Sequence, residues 1–177
     1  RGVTGFNNPM GHPEVRAIIM QKTGHSRPTA PAEQPASATH RQTPLIEWNE
    51  SFSVNVSEID WQHQQLIALY NGLHEAMSQG KGNEVLERVF DELLDYTKTH
   101  FKTEERYFHA INYAGTNGHI MEHEAFVKKL SELSEKFHAG KAFLTVETLA
   151  FMRNWLNEHI KGTDKQYTRC FNEHGIY

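Results

Sequence analysis

Cysteine is nearly absent: Cys170 is the only one in 177 residues, so no internal disulfide can form. That fits a reducing compartment and leaves an inert free thiol as the simplest reading of Cys170. Long hydrophobic runs are also missing, since no stretch of about 18 apolar residues occurs to cross a membrane as a helix. The first residues carry no basic-then-apolar pattern of the kind that directs secretion. Charge of one sign is equally scarce. The formal net charge is -4 and no long basic run exists, so nucleic acid is not an expected partner, and the scattered Lys and Arg read as solvated helix faces. These absences together predict a soluble, cytoplasmic protein that touches neither nucleic acid nor membrane.

Large apolar residues are thin in one region only. The run SRPTAPAEQPASATHRQTP is rich in Pro, Ala, Ser and Thr and buries too little surface to offset the entropy of ordering it. We therefore divide the chain into residues 1–44, an irregular extension or linker, and residues 45–177, a single domain. Within the extension, Val15, Ile18, Ile19 and Met20 form a short apolar cluster that suits one or two helical turns. The chain begins at Arg1 without an initiator Met; the expectation is a longer polypeptide with further domains ahead of the linker.

Beyond residue 59 the apolar period is helical throughout. Ile59, His63, Leu66, Ile67, Tyr70, Leu73 and Met77 repeat at three and four, which predicts a first helix over about 60–79, closed by Gly80 and Gly82. A second begins at Asn83, a good N-cap, and carries Val89, Phe90, Leu93, Thr97, His100, Glu104 and Phe108 on one stripe. A third presents His119, His123, Phe126, Leu130 and Phe137 and ends near Gly140. The fourth, about 143–161, presents Leu149, Met152, Leu156 and His159, with Gly162 as its stop. Short connections make successive helices antiparallel neighbours, so the fold class is all-α, an up-down-up-down four-helix bundle with an N-terminal extension.

Histidine is the abundant residue. Twelve occur, so a chance His-x-x-x-His is easy to find and one such pair proves little. What matters is placement. His100 with Glu104 in HFKTE and His119 with His123 in HIMEH are four apart, hence about 5–6 Å apart on one helix face. Each of these, with His63, His159 and Asp164, falls on the apolar stripe or at the same end of the bundle, where a histidine without a partner is costly to bury. Five imidazoles and two carboxylates without a thiolate suit a pair of iron ions sharing the carboxylates, while a lone zinc leaves ligands over. His74, His109 and His138 read as packing or helix-end residues, and His12, His25, His40 and His174 lie outside the core pattern. Ile67, Phe101, Phe126, Leu156 and Ile160 are the candidates for an apolar lining that keeps the ions dry. Trp48 and Trp61 are expected to cover the bundle end.

Four stretches, IEWNESFSVNVSEIDWQHQQL, HFKTEERYF, HIMEHEAF and WLNEHIKGTDKQY, resemble the bacterial hemerythrins from about Leu45 onward. The resemblance implies an antiparallel bundle, a topology of which myohemerythrin is a standard example. It also implies a non-haem di-iron centre with an oxo or hydroxo bridge. By that resemblance one iron takes His119, His123 and His159, the other takes His63 and His100, and Glu104 and Asp164 bridge them. The second iron is then one ligand short, and dioxygen is the ligand that the family places there.

No general base, nucleophile or substrate pocket stands out beside these residues, so no catalytic residue is assigned and turnover chemistry is not expected. Three functional classes follow. An oxygen or redox sensor of a larger signalling protein, similar to hemerythrin domains attached to chemotaxis receptors, is favoured by the linker, and its partners are then dioxygen and upstream domains of the same polypeptide. A stand-alone protein for oxygen storage or delivery uses the same pocket. A di-iron oxidase or peroxidase of the ferritin-like kind wants two Glu-x-x-His motifs, and only Glu135 to His138 supplies that string.

Overall fold

The computed structural model describes residues 44–141 and 143–177; the cluster around Val15 and Ile18, and His12, His25 and His40, lie outside them. Among the described residues there is no strand, and no helix is long and apolar enough to cross a membrane. A 3-10 turn, Glu50–Phe52, precedes four long helices: α1 Ser57–Ser78, α2 Asn83–Ile111, α3 Thr116–His138 and α4 Val146–Glu158. The chain then runs through a π turn, His159–Thr163, into a fifth helix, α5 Lys165–Glu173. The four long helices form the antiparallel bundle.

The helix ends follow from local chemistry. After α1 the amide of Gly80 bonds the Met77 carbonyl and that of Lys81 bonds Ala76, both at 3.0 Å. After α3, Gly140 and Lys141 do the same to Phe137 and Lys136 at 2.9 and 2.8 Å. Both glycines sit at positive φ, +62° and +64°, where an L side chain is disfavoured, and the paired bonds satisfy carbonyls that the helix leaves open. Asn112, at φ 51°, does the same for α2. α4 is capped instead by Thr145, whose hydroxyl accepts from the Thr148 amide at 3.2 Å.

Three expectations need correction here. Asn83 is the first helical residue and Gly82 precedes it as the cap, with no side-chain bond to the helix end. Gly162 does not stop the fourth helix, because the backbone widens into the π turn and goes on. Trp61 does not cover the bundle end: it is 48% exposed. Trp48 stacks on Phe52 at 5.8 Å, and the covering is done by aliphatic residues and by α5.

The lead-in segment is pinned to α1. Asn71 accepts from the Ile46 amide at 3.1 Å and donates to its carbonyl at 2.8 Å. Asp60 accepts from the Ser53 hydroxyl at 2.5 Å and the Val54 amide at 2.7 Å. Lys165 of α5 donates to the Ser53 carbonyl. Val54, Val56, Ile59, Phe108, Tyr167 and Phe171 thereby close one end of the bundle as a single apolar cluster. That closed end lies against the histidines.

Candidate metal centre

The first three long helices and the π turn after the fourth deliver the candidate ligands to one end of the bundle. His63 comes from the first half of α1, His100 and Glu104 from the second half of α2, and His119 and His123 from the start of α3. These pairs need only ordinary α geometry, because residues four apart share a face. His159 and Asp164 are five apart, which on a 3.6-residue turn leaves them roughly 140° out of line. The π turn removes that mismatch: the Asp164 amide bonds the His159 carbonyl at 2.9 Å across five residues. Such widened turns recur at functional sites.

The structure brings all seven residues together, and none is more than 4% exposed. Two groups have ligand atoms within 4.8 Å of one another: Glu104 with His119, His123 and His159, and Glu104 with His63, His100 and Asp164. Glu104 belongs to both. Asp164 also reaches both, with Oδ1 3.2 and 3.1 Å from Nε2 of His119 and His159, and Oδ2 3.2 Å from Nε2 of His63.

The inward atoms are nitrogens and carboxylate oxygens crowded against one another. Nε2 of His123 and Nε2 of His159 stand 3.1 Å apart, and His123 Nε2 is also 3.1 Å from Glu104 Oε2. Among the described residues, His63 Nε2, His119 Nε2, Glu104 Oε2 and both Asp164 oxygens are buried without a hydrogen bond of proper geometry. Groups so buried cost free energy unless something else satisfies them. A cation is the missing partner, and these residues fit a pair of them: nitrogen and oxygen donors, with carboxylates placed between two imidazole sets.

The protein charges point the same way. Burial and the Asp164 charge push the Glu104 carboxyl up, but His100, His119 and His123 outweigh them and hold it below the usual range. Asp164 is likewise held well down, burial opposing and His159 leading the effect. Burial drives His100 to about 3, so its lone pair is free. His119 is pulled down by burial, yet the Asp164 and Glu104 carboxylates beside it raise it to about 9. Two ionised carboxylates thus demand positive charge, and the raised His119 and His159 answer it with protons wherever a cation does not.

Several partners of this site were not legible in the sequence. Gln62 Oε1 lies 3.0 Å from His100 Nδ1, Glu105 Oε1 3.1 Å from His123 Nδ1, and Glu122 Oε2 3.0 Å from His159 Nδ1. With Nε2 turned inward, each Nδ1 carries the proton and donates. Tyr167 donates its hydroxyl to Glu104 Oε1 at 2.5 Å; burial, and then the two carboxylates, push this phenol well above its ordinary value. One signal existed for Tyr167 and Phe171, which continue the helical period from Asp164 at three and seven. The five lining candidates, Ile67, Phe101, Phe126, Leu156 and Ile160, are all buried. Phe101 stacks flat on His123 at 3.6 Å, and Trp155, not anticipated, stacks on His159 at 4.2 Å and on Phe126 at 3.7 Å. His138 stays outside, paired with Asp91 at 3.0 Å, and exposed His109 sits in the last turn of α2.

The profile of the hemerythrin HHE cation binding domain matches residues 54–170. A bacteriohemerythrin of Methylococcus capsulatus is 36% identical over 127 residues, covering 71% of this chain and 96% of that one. A hemerythrin-like protein of Naegleria gruberi is 33% identical over 120 residues, covering 68% and 88%. A wild-type hemerythrin crystal structure superposes with a TM-score of 0.69 at 35% identity, covering 71% of this chain and 97% of that chain.

Proposed function

The chain belongs to the hemerythrin family, and on that premise we propose that His63, His100, Glu104, His119, His123, His159 and Asp164 hold a non-haem iron pair that binds dioxygen reversibly for sensing. The observation that carries this reading is the convergence of seven buried nitrogen- and oxygen-bearing side chains into two sets whose ligand atoms lie within 4.8 Å of one another. Bound there, two irons would supply the electrons for taking up dioxygen. The chain's own residues do the rest. Glu104 and Asp164 face both imidazole sets and fix the spacing between them. Phe101, Phe126, Leu156, Ile160 and Ile67 keep water out, and Phe101 and Trp155 lock the rings of His123 and His159 by stacking. A dry surround favours release of the ligand over turnover, so we read a binding module and not an enzyme.

Sensing is favoured over storage by the clamp on the lead-in segment. Asp60, one turn before His63, holds Ser53 and Val54, and Lys165, next to Asp164, holds Ser53 from the other side. Any displacement of His63 or Asp164 is passed to residues 46–56, and residues 1–44 then connect the domain to signalling partners in the same cytoplasmic polypeptide. A ligand shifts a conformational equilibrium only through unequal affinity for its states. Two measurements on the iron-loaded chain test this: iron content with the visible spectrum through oxygenation cycles, and amide exchange of residues 45–60 in the deoxygenated and oxidised states. We expect two irons per chain, a reversible spectrum and altered exchange. One ion per chain, or mainly zinc, overturns the metal reading; unchanged exchange with reversible oxygenation assigns the chain to storage or delivery.

A further inference from the structure

We propose that the two metal positions are unequal, the ion among His119, His123 and His159 being held more tightly than the ion between His63 and His100. This rests on the iron-pair reading above and concerns the residues behind the ligands.

The three-histidine position is backed by charge. His123 Nδ1 donates to Glu105 at 3.1 Å and His159 Nδ1 to Glu122 at 3.0 Å. A carboxylate accepting from the far side of an imidazole draws on its proton and enriches the nitrogen that faces the metal. Glu105 is 28% and Glu122 49% exposed, so water weakens their long-range field, but the hydrogen bonds are direct. Glu122 is further fixed by the Thr163 hydroxyl at 3.0 Å. Thr163 lies in the π turn, so the same backbone widening that aligns His159 with Asp164 also supplies the hydroxyl that holds Glu122.

The two-histidine position has no such backing. His100 Nδ1 donates to Gln62, a neutral amide, at 3.0 Å, and His63 Nδ1 is buried with no hydrogen-bond partner among the described residues. Glu104 adds to the difference. Its Oε2 lies 3.1 and 3.5 Å from Nε2 of His123 and His119, while Oε1 lies 3.9 Å from Nε2 of His100 and accepts the Tyr167 hydroxyl at 2.5 Å. That hydrogen bond draws density from the oxygen on the two-histidine side. Asp164 divides its oxygens between both sets and does not restore the balance.

The test uses the full iron-loaded chain challenged with excess ferrous chelator, with the remaining iron located by anomalous diffraction. We expect two release phases, the slow iron being the one among His119, His123 and His159. Glu105→Gln with Glu122→Gln is expected to accelerate the slow phase alone by about 10–100-fold, the usual effect of losing such partners. Gln62→Glu and, separately, Tyr167→Phe are expected to slow the fast phase alone. These carry the test in the opposite direction if the double variant does not fold, as circular dichroism reports. Two irons released at one rate, or phases that none of these changes moves, overturn the inequality and leave the iron pair standing. A chain that never holds more than one ion overturns both.

Discussion

Asp164 illustrates how one residue is judged differently before and after folding. Counted along the sequence it lies beyond Gly162, a helix stop, and is the candidate ligand least fixed by helical spacing. In the bundle it is fully buried, and its two oxygens face His63, His119 and His159. Removing one partner from a buried charged set costs about 3–5 kcal/mol, because the groups left behind stay desolvated. Asp164→Ala is therefore expected to bind fewer than two irons, to lose the bridged-iron absorption and to melt at lower temperature while remaining helical. Metal analysis, the visible spectrum and circular dichroism read these together, and an unchanged iron content and spectrum would show that Asp164 bridges nothing.

At the scale of elements, the helices begin and end where short-range chemistry dictates. Gly80 closes α1 at φ +62°, with no atom within 4 Å of where a Cβ would stand. Space is therefore not the constraint, and only backbone strain opposes a side chain. Gly80→Ala is expected to cost about 1–2 kcal/mol, read as a lower urea midpoint at unchanged slope and unchanged iron content. A cost near zero would mean that the turn relaxes to negative φ. The π turn is an element of a different kind. His159 and Asp164 gain a common face only because the chain gives up regular α bonding across Lys161 and Gly162. That exchange is worthwhile where both side chains are needed at one point.

For the whole molecule, the end of the bundle nearest the histidines is sealed by pieces distant in sequence: Val54 and Val56 from the lead-in, Phe108 from α2, Tyr167 and Phe171 from α5. Tyr167 and Phe171 are fully buried, and each stabilises the fold by about 1.5–3 kcal/mol, a sizeable share of the roughly 5–15 kcal/mol that holds a domain together. A chain ending at Asp164 is expected to lose that seal. It should melt well below the full chain and release iron faster, as calorimetry and chelator challenge would record. Equal melting temperatures would mean that α5 is an appendage.

The sequence by itself determined the bundle, since a period of three and four, broken by Gly80 and Gly140, leaves helices little choice of face or length. It also determined which side chains have metal chemistry to offer, because His100 with Glu104 and His119 with His123 meet through helical spacing alone. Only the tertiary structure decided the rest. The partners behind the imidazoles, Gln62, Glu105 and Glu122, look like ordinary solvated polar residues until helix packing sets them against His100, His123 and His159. Trp155 becomes part of the site only because α4 lays its ring against His159 and Phe126. The path of the chain past Gly162 was beyond local rules altogether: glycine is a good helix stop in isolation, and what carries the helix through it is the burial of Tyr167 and Phe171, a gain made by contacts far away in sequence.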